Sequence, residues 1–195
     1  MIIVENLEEF SEWLLYEYEH AYELVGDELL ITNVKDERLK ESLKELGIPF
    51  EERSVVEIID HMPRPWVVLD PKGEGELTPD EASGTVVVGG ILGAHPPKGR
   101  TWELLTSKLL PKGVLVRNLG PEQFSIDGAV AVAWLIKRGK KLSEIEKVVG
   151  LEVEVGEVMG MKVVEELPYA YPVIGGGVFF SEKVKEYLKR RRLAE

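Results

Sequence analysis

A chain of 195 residues with 44% hydrophobic content suits one α/β domain spanning residues 1–195 with a sizeable core. Cysteine is absent and only three histidines exist, which excludes disulfides and thiolate metal sites and argues against a histidine-based one, so no metal is expected. The net charge of −11 is uneven: residues 1–60 carry 17 acidic against 5 basic side chains, and the rest of the chain is nearly balanced. Such a field attracts a basic partner and repels phosphate where it faces a site, and is otherwise a solvated helix surface.

The opening MIIVENLEEF has no basic start and no long apolar run, so a signal peptide is not expected. Charge-free stretches such as 167–181 are short and rich in Gly and Pro, so no membrane span is expected and a cytoplasmic setting is.

In chain order, residues 1–4 read as a first strand. Asn6 with Glu9 resembles a capping box, and Phe10, Trp13, Leu14, Ala21, Leu24 and Val25 recur at helical spacing until Gly26. Residues 29–32 read as a second strand. Asp36 caps a helix with Leu39, Leu43 and Leu46 on its apolar face, ended by Gly47. Residues 48–62 are ambiguous between strand and helical turn. Residues 66–69 form a buried strand closed by Asp70-Pro71, and 72–83 is a polar connection. Two β-branched runs, 85–88 and 114–116, each lead into glycine- and proline-bearing loops, as buried parallel strands do. Between them Thr101 is the expected N-cap of a helix over 102–109. Residues 129–136 are apolar on every face, which places that helix between layers. A short capped helix is expected over 143–149, a hairpin or irregular excursion over 153–174, a further strand over 178–180, and a terminal helix over 182–193 with the basic run Lys189 to Arg192. That run reads as an RNA or ribosome contact, or as a solvated helix end. Alternating strands and helices predict an α/β fold with a largely parallel sheet flanked by helices.

Loops at the carboxyl ends of parallel strands are where open α/β sheets bind ligands. Gly89, Gly90, Gly93 and Gly120 let backbone approach a ligand or adopt positive φ; the plainer reading is tight strand-to-helix turns. Neither a P-loop nor a G-x-G-x-x-G fingerprint is present. His95, Arg100 and Arg117 are the titratable or cationic groups of these loops.

The strings GGILGAHPPKGRT and RNLGPEQFSID, in that order, resemble the SPOUT-class methyltransferase family that includes a yeast arginine methyltransferase of a small-subunit ribosomal protein. Archaeal-like relatives in that family are usually described as RNA methyltransferases. The opening ENLEEFSEWLLYEY also resembles the family's start, through Glu5, Glu9, Ser11, Trp13, Glu17 and Tyr18. The resemblance implies a SPOUT-like sheet with a C-terminal trefoil knot and S-adenosyl-L-methionine (SAM) as cofactor. It implies cofactor contacts from Asp70, Gly89, Gly90, Leu92, Gly93, Asn118, Leu119, Gly120, Gln123 and Ile126, with Leu92, Leu119 and Ile126 as apolar walls. Asp70 reads equally as a turn aspartate before proline. Where the family string has an aspartate this chain has Ala94, which weakens any need for a carboxylate there. The catalytic candidates are Glu5, Glu9, Glu17 and Arg100, with Arg100 first a loop clamp. Glu17 on a buried helix face needs a partner, from Arg100, a substrate arginine or an internal ion pair.

The expected activity is SAM-dependent methyl transfer, with an arginine of a ribosomal protein favoured over rRNA or tRNA. A non-catalytic SAM-binding or ribosome-assembly protein is the further alternative. No membrane partner is expected, and the protein is a homodimer or a monomer.

Overall fold

Alternation along the strands gives the sheet two apolar faces. In β1 (Ile2–Asn6) Ile2 and Val4 point to one side and Ile3 to the other, all fully buried. The computed structural model describes residues 1–93 and 98–193. With β2 (Leu29–Thr32), β3 (Trp66–Leu69), β4 (Gly75–Glu76), β5 (Thr85–Gly90) and β6 (Leu115–Asn118), the first strand forms a six-stranded parallel sheet in the order β2-β1-β5-β3-β6-β4. One face is covered by α1 (Glu12–Val25), α2 (Glu37–Glu45) and α6 (Ile126–Lys137), through Leu14, Tyr18, Leu39, Leu43, Val130 and Ile136. The other is covered by α3 (Val55–Ile58) with the turn after it and by α5 (Ser107–Leu109), through Val55, Ile59, Leu105 and Leu109. A short helix, α4 (Pro79–Ala82), precedes β5. A long hairpin, β7 (Lys147–Val158) and β8 (Met161–Ile174), carries the short β9 (Gly177–Val178) and packs on α7 (Glu182–Leu193).

One crossing positions the site. Leu69 of β3 and Gly75 of β4 both oppose Arg117, on opposite edges of β6, so the turn between them straddles that strand. Gly73 sits at the crossing. A Cβ there would lie 2.5 Å from the carbonyl carbon of Arg117 and 2.8 Å from the nitrogen of Asn118, so only glycine lets the two backbones pass.

Several local expectations change. Asn6 is the end of β1, not a cap; its side chain accepts from Tyr18 Oη at 2.7 Å, and Ser11 caps α1 by accepting from the nitrogen of Leu14 at 3.2 Å. Thr101 is already helical and makes no cap bond, because the segment starts before it and winds as a π-helix over Trp102–Thr106. No helix forms over 143–149. A single 3-10 turn spans Leu142–Glu144, and Val148 and Val149 then pair with Tyr171 and Ala170 in the hairpin. The connection 72–83 contains β4 and α4, the latter capped reciprocally by Thr78 and Glu81 with proline in its first turn. The ambiguous stretch resolves as helical turn at Val55–Ile58, and the last strand, expected over 178–180, is Gly177–Val178 and leaves out Phe179 and Phe180. Among the described residues no helix is long and apolar enough to cross a membrane.

Candidate functional site

Parallel strands put their carboxyl ends together, and a cleft of about 230 Å³ opens there. Its walls come from Leu69, Asp70 and Pro71 after β3, from Val88, Gly89 and residues 91–93 at the end of β5, from residues 98–101, and from residues 119–124 after β6. Ala129 of α6 closes the base. The lining is apolar at Ile91, Leu92, Leu119 and Phe124, and cationic at Lys98 and Arg100.

Local geometry explains the shape. Asn118 accepts from the nitrogen of Gly120 at 3.0 Å and donates to the carbonyl of Gly73 at 2.7 Å, which ties the turn after β6 to the turn that straddles it. Gly120 has φ +90°, outside the range that side chains favour. Gly93 works differently: its φ is not positive, but a Cβ would stand 2.5 Å from Tyr169 and 2.8 Å from Gln123. Gly89 and Gly90 belong to β5 and are not left-handed either, so the expected positive φ holds only at Gly120.

Of the ten residues expected at a cofactor, Asp70, Gly89, Leu92, Gly93, Leu119, Gly120 and Gln123 line the cleft, while Gly90, Asn118 and Ile126 do not. Gly90 packs against Tyr18 and the carbonyl of Glu5, Asn118 shapes the turn from behind, and Ile126 is core at the start of α6. Asp70 is 2% exposed; one carboxylate oxygen accepts from the nitrogen of Lys72 at 2.8 Å and the other from Thr106 Oγ1 at 2.5 Å. Its side chain is committed to the turn.

The expected catalytic residues are not brought together. Glu5 is buried away from the cleft, where its carboxylate accepts from Thr32 Oγ1, Ser54 Oγ and the nitrogen of Val55; it joins β1, β2 and α3. Glu9 is exposed on the loop after β1. Arg100 lines the cleft and pairs with Glu8, not with Glu17. Glu17 accepts from Trp13 Nε1 at 2.6 Å and from the nitrogen of Ile126 at 2.8 Å, pinning α1 to the first turn of α6. Burial, then the nearby carboxylate of Asp127, raises the Glu17 pKa to about 8 against the pull of those donors. Asp127 in turn lies 2.6 Å from His20 Nδ1 and accepts from Ser125 Oγ. Arg117 points away from the cleft into a pair with Glu81. Ala94 and His95 lie outside the described residues.

In the basic run Lys189, Arg190 and Arg191 pair with Glu186, Glu12 and Glu165, and Arg192's side chain is outside those described. Lys183 also pairs with Glu19, so part of the acidity of α1 is met by α7. Among the described residues no three potential ligands converge on a metal position.

Four residues in or beside the cleft are not singled out by the sequence. Phe124 and Glu122 stand inside the string RNLGPEQFSID, where Gly120 is the more conspicuous signal. Tyr169, which closes over Gly93, is far away in the chain and had no local signal. Glu8 is one of two adjacent glutamates, and nothing in the chain distinguishes it from Glu9.

The model of the family "Protein arginine N-methyltransferase SFM1-like" matches residues 1–194. The protein arginine N-methyltransferase SFM1 of Saccharomyces cerevisiae is 34% identical over 149 residues, 69% of each protein. Crystal structures of the yeast arginine methyltransferase SFM1 in complex with SAM and with S-adenosylhomocysteine (SAH) superpose with TM-scores of 0.83 and 0.82 at 28% identity. They cover 97% and 96% of this chain, and 90% and 94% of theirs. A dual-specific Trm10 from Thermococcus kodakaraensis, 19% identical, covers 73% of this chain and 95% of its own with a TM-score of 0.56, a likeness of fold alone.

Proposed function

Because the chain belongs to the SFM1-like family of protein arginine N-methyltransferases, we propose that its cleft holds SAM and that its substrate is an arginine of a ribosomal protein. The observation that carries the reading is the cleft itself. It lies at the carboxyl ends of β3, β5 and β6, and its apolar walls and glycine-bearing loops suit a flat base held by backbone groups. Leu92, Leu119 and Phe124 would flank the base, and the loops at Gly89, Gly93, Gly120 and Gln123 would contact it. Asp70 holds the floor, and Lys98 offers a charge for a carboxylate.

SAM supplies an electrophilic methyl group when bound. The chain's own task is to place a substrate nitrogen in line with it, and positioning of that kind removes much of a barrier. A guanidinium stays protonated in water and is a poor nucleophile, so a carboxylate must orient it, and the proton leaving the attacking nitrogen must pass to that carboxylate or to water. Glu5 is fully engaged within the fold, and Glu17 positions α6 behind the cofactor loop. Glu9 and its neighbour Glu8, on the loop after β1, remain for the substrate side.

The trefoil knot belongs to the same proposal. The turn that straddles β6 at Gly73 makes the chain leaving Asn118 pass beneath it toward α6, which supports threading. A ribosomal substrate goes with a cytoplasmic setting.

The acidity of residues 1–60, with Glu8 and Glu9 on a loop beside β5, favours a cationic peptide over a phosphate backbone. Transfer of labelled methyl from SAM to purified small-subunit ribosomal proteins, run beside deproteinised rRNA and tRNA, tests the reading. Label is expected on a protein. Label on RNA alone supports an RNA methyltransferase, and label on neither supports a binding or assembly role.

A further inference from the structure

Resting on the arginine methyltransferase reading, we propose that Glu8 is the carboxylate that receives the substrate guanidinium, and that Arg100 occupies it as a resident stand-in until the substrate displaces it. Arg100 lines the cleft, and its Nη1 donates to Glu8 Oε1 at 2.8 Å. The group that enters in the reaction has the same chemistry as the group already there.

Glu8 is fixed in place while its carboxylate is only half used. The nitrogen of Leu7 donates to the carbonyl of Gly90 at 3.1 Å, and Asn6 Nδ2 donates to the carbonyl of Glu8 at 3.1 Å. These bonds hold the loop after β1 against the end of β5, whose continuation walls the cleft. The ion pair uses one nitrogen and one oxygen, although a guanidinium and a carboxylate readily make two parallel bonds. Among the described residues, Glu8 Oε2 makes no hydrogen bond. The Glu8 and Arg100 side chains are 20% and 37% exposed, so water reaches a part-buried pair, and a substrate guanidinium would replace Arg100 with a group of the same charge and donor pattern.

The buried carboxylates at this end of the sheet do not offer that. Glu5, Glu17, Asp70 and Asp127 each have both oxygens engaged by donors inside the fold. Glu122 is the remaining acid of the cleft, and Lys147 Nζ, 2.6 Å away, holds its carboxyl below the usual range. It is the competing candidate.

Steady-state methyl transfer to small-subunit ribosomal proteins separates substrate exchange from a structural clamp. SAH affinity and melting temperature are measured for every variant. Glu8→Gln is expected to raise the KM for protein at least tenfold with the SAH Kd within twofold of the parent. Arg100→Gln, which frees the carboxylate, is expected to lower that KM at least threefold. The double exchange Glu8→Arg with Arg100→Glu restores an ion pair but not a carboxylate at position 8, and is expected to stay as defective as Glu8→Gln. Equal loss in both single variants, rescue by the exchange, or a KM effect that appears in Glu122→Gln and not in Glu8→Gln overturns the proposal. If the parent transfers nothing while SAH still binds, the arginine reading falls and this inference with it. If the parent transfers and the variants match it, this inference alone falls.

Discussion

The hydroxyl of Tyr169 donates to the carbonyl of Gly93 across 2.8 Å, joining the hairpin to the glycine loop of the cleft. The same ring presses on Gly93, which has no space for a side chain. Tyr169→Phe removes one hydrogen bond of about 0.5–1.5 kcal/mol, so SAH affinity should fall roughly two- to tenfold with little change in fold. Gly93→Ala pushes Tyr169 and Gln123 aside and should lower affinity further. Calorimetric titration with SAH checks both, and unchanged affinity in both would mean that the hairpin plays no part in the site.

Gly73→Ala tests the crossing over β6. The added carbon meets backbone atoms of Arg117 and Asn118, which cannot turn aside as a side-chain end would. Overpacking costs about 1–3 kcal/mol, and a backbone contact belongs at the upper end, a melting temperature lower by roughly 6–12 °C for a chain of this size. A thermal melt unchanged within about 2 °C contradicts the close crossing.

Glu17 should make stability depend on pH. Its pKa is raised from 4.5 to about 8 in the folded state, so the folded protein holds the extra proton between those values. Stability from this group is therefore complete below pH 4.5, falls as pH rises, and is lost above about 8. Denaturant midpoints of the parent and Glu17→Gln read it together with its interaction with Asp127, while groups remote from the pair titrate in both. The difference should move in favour of the variant between about pH 5 and 9 by on the order of a few kcal/mol. A constant difference across that range contradicts the assignment.

Short apolar runs with clear ends were legible: Leu29–Thr32, Trp66–Leu69 and the terminal helix Glu182–Leu193 stand where their patterns place them. The errors lie where local pattern competes with pairing. Val148 and Val149 follow a plausible cap but have strand partners in β8, and Asn6 has a cap's chemistry but a strand's neighbours. At the site, the glycine loops were visible because they are contiguous in the chain. The environments of Glu5 and Glu17 were not, because Ser54, Val55 and Ile126 reach them only through the fold.

SAH should stabilise the protein, while ATP and NAD should not, since no phosphate-binding fingerprint is present. A ligand at about a hundred times its Kd adds about 2.7 kcal/mol, or roughly 5–11 °C here. A melting temperature that does not move at saturating SAH, with no heat on titration, contradicts the cofactor assignment.

The most direct measurement locates the transferred methyl group. Small-subunit ribosomal proteins incubated with the parent and SAM are digested and weighed by mass spectrometry, beside a reaction with Gly93→Ala. One methyl increment is expected on an arginine-containing peptide, assigned to the arginine by fragmentation, with a reduced yield from the variant. Methyl groups found on RNA nucleosides with every arginine unmodified would contradict the arginine methyltransferase reading.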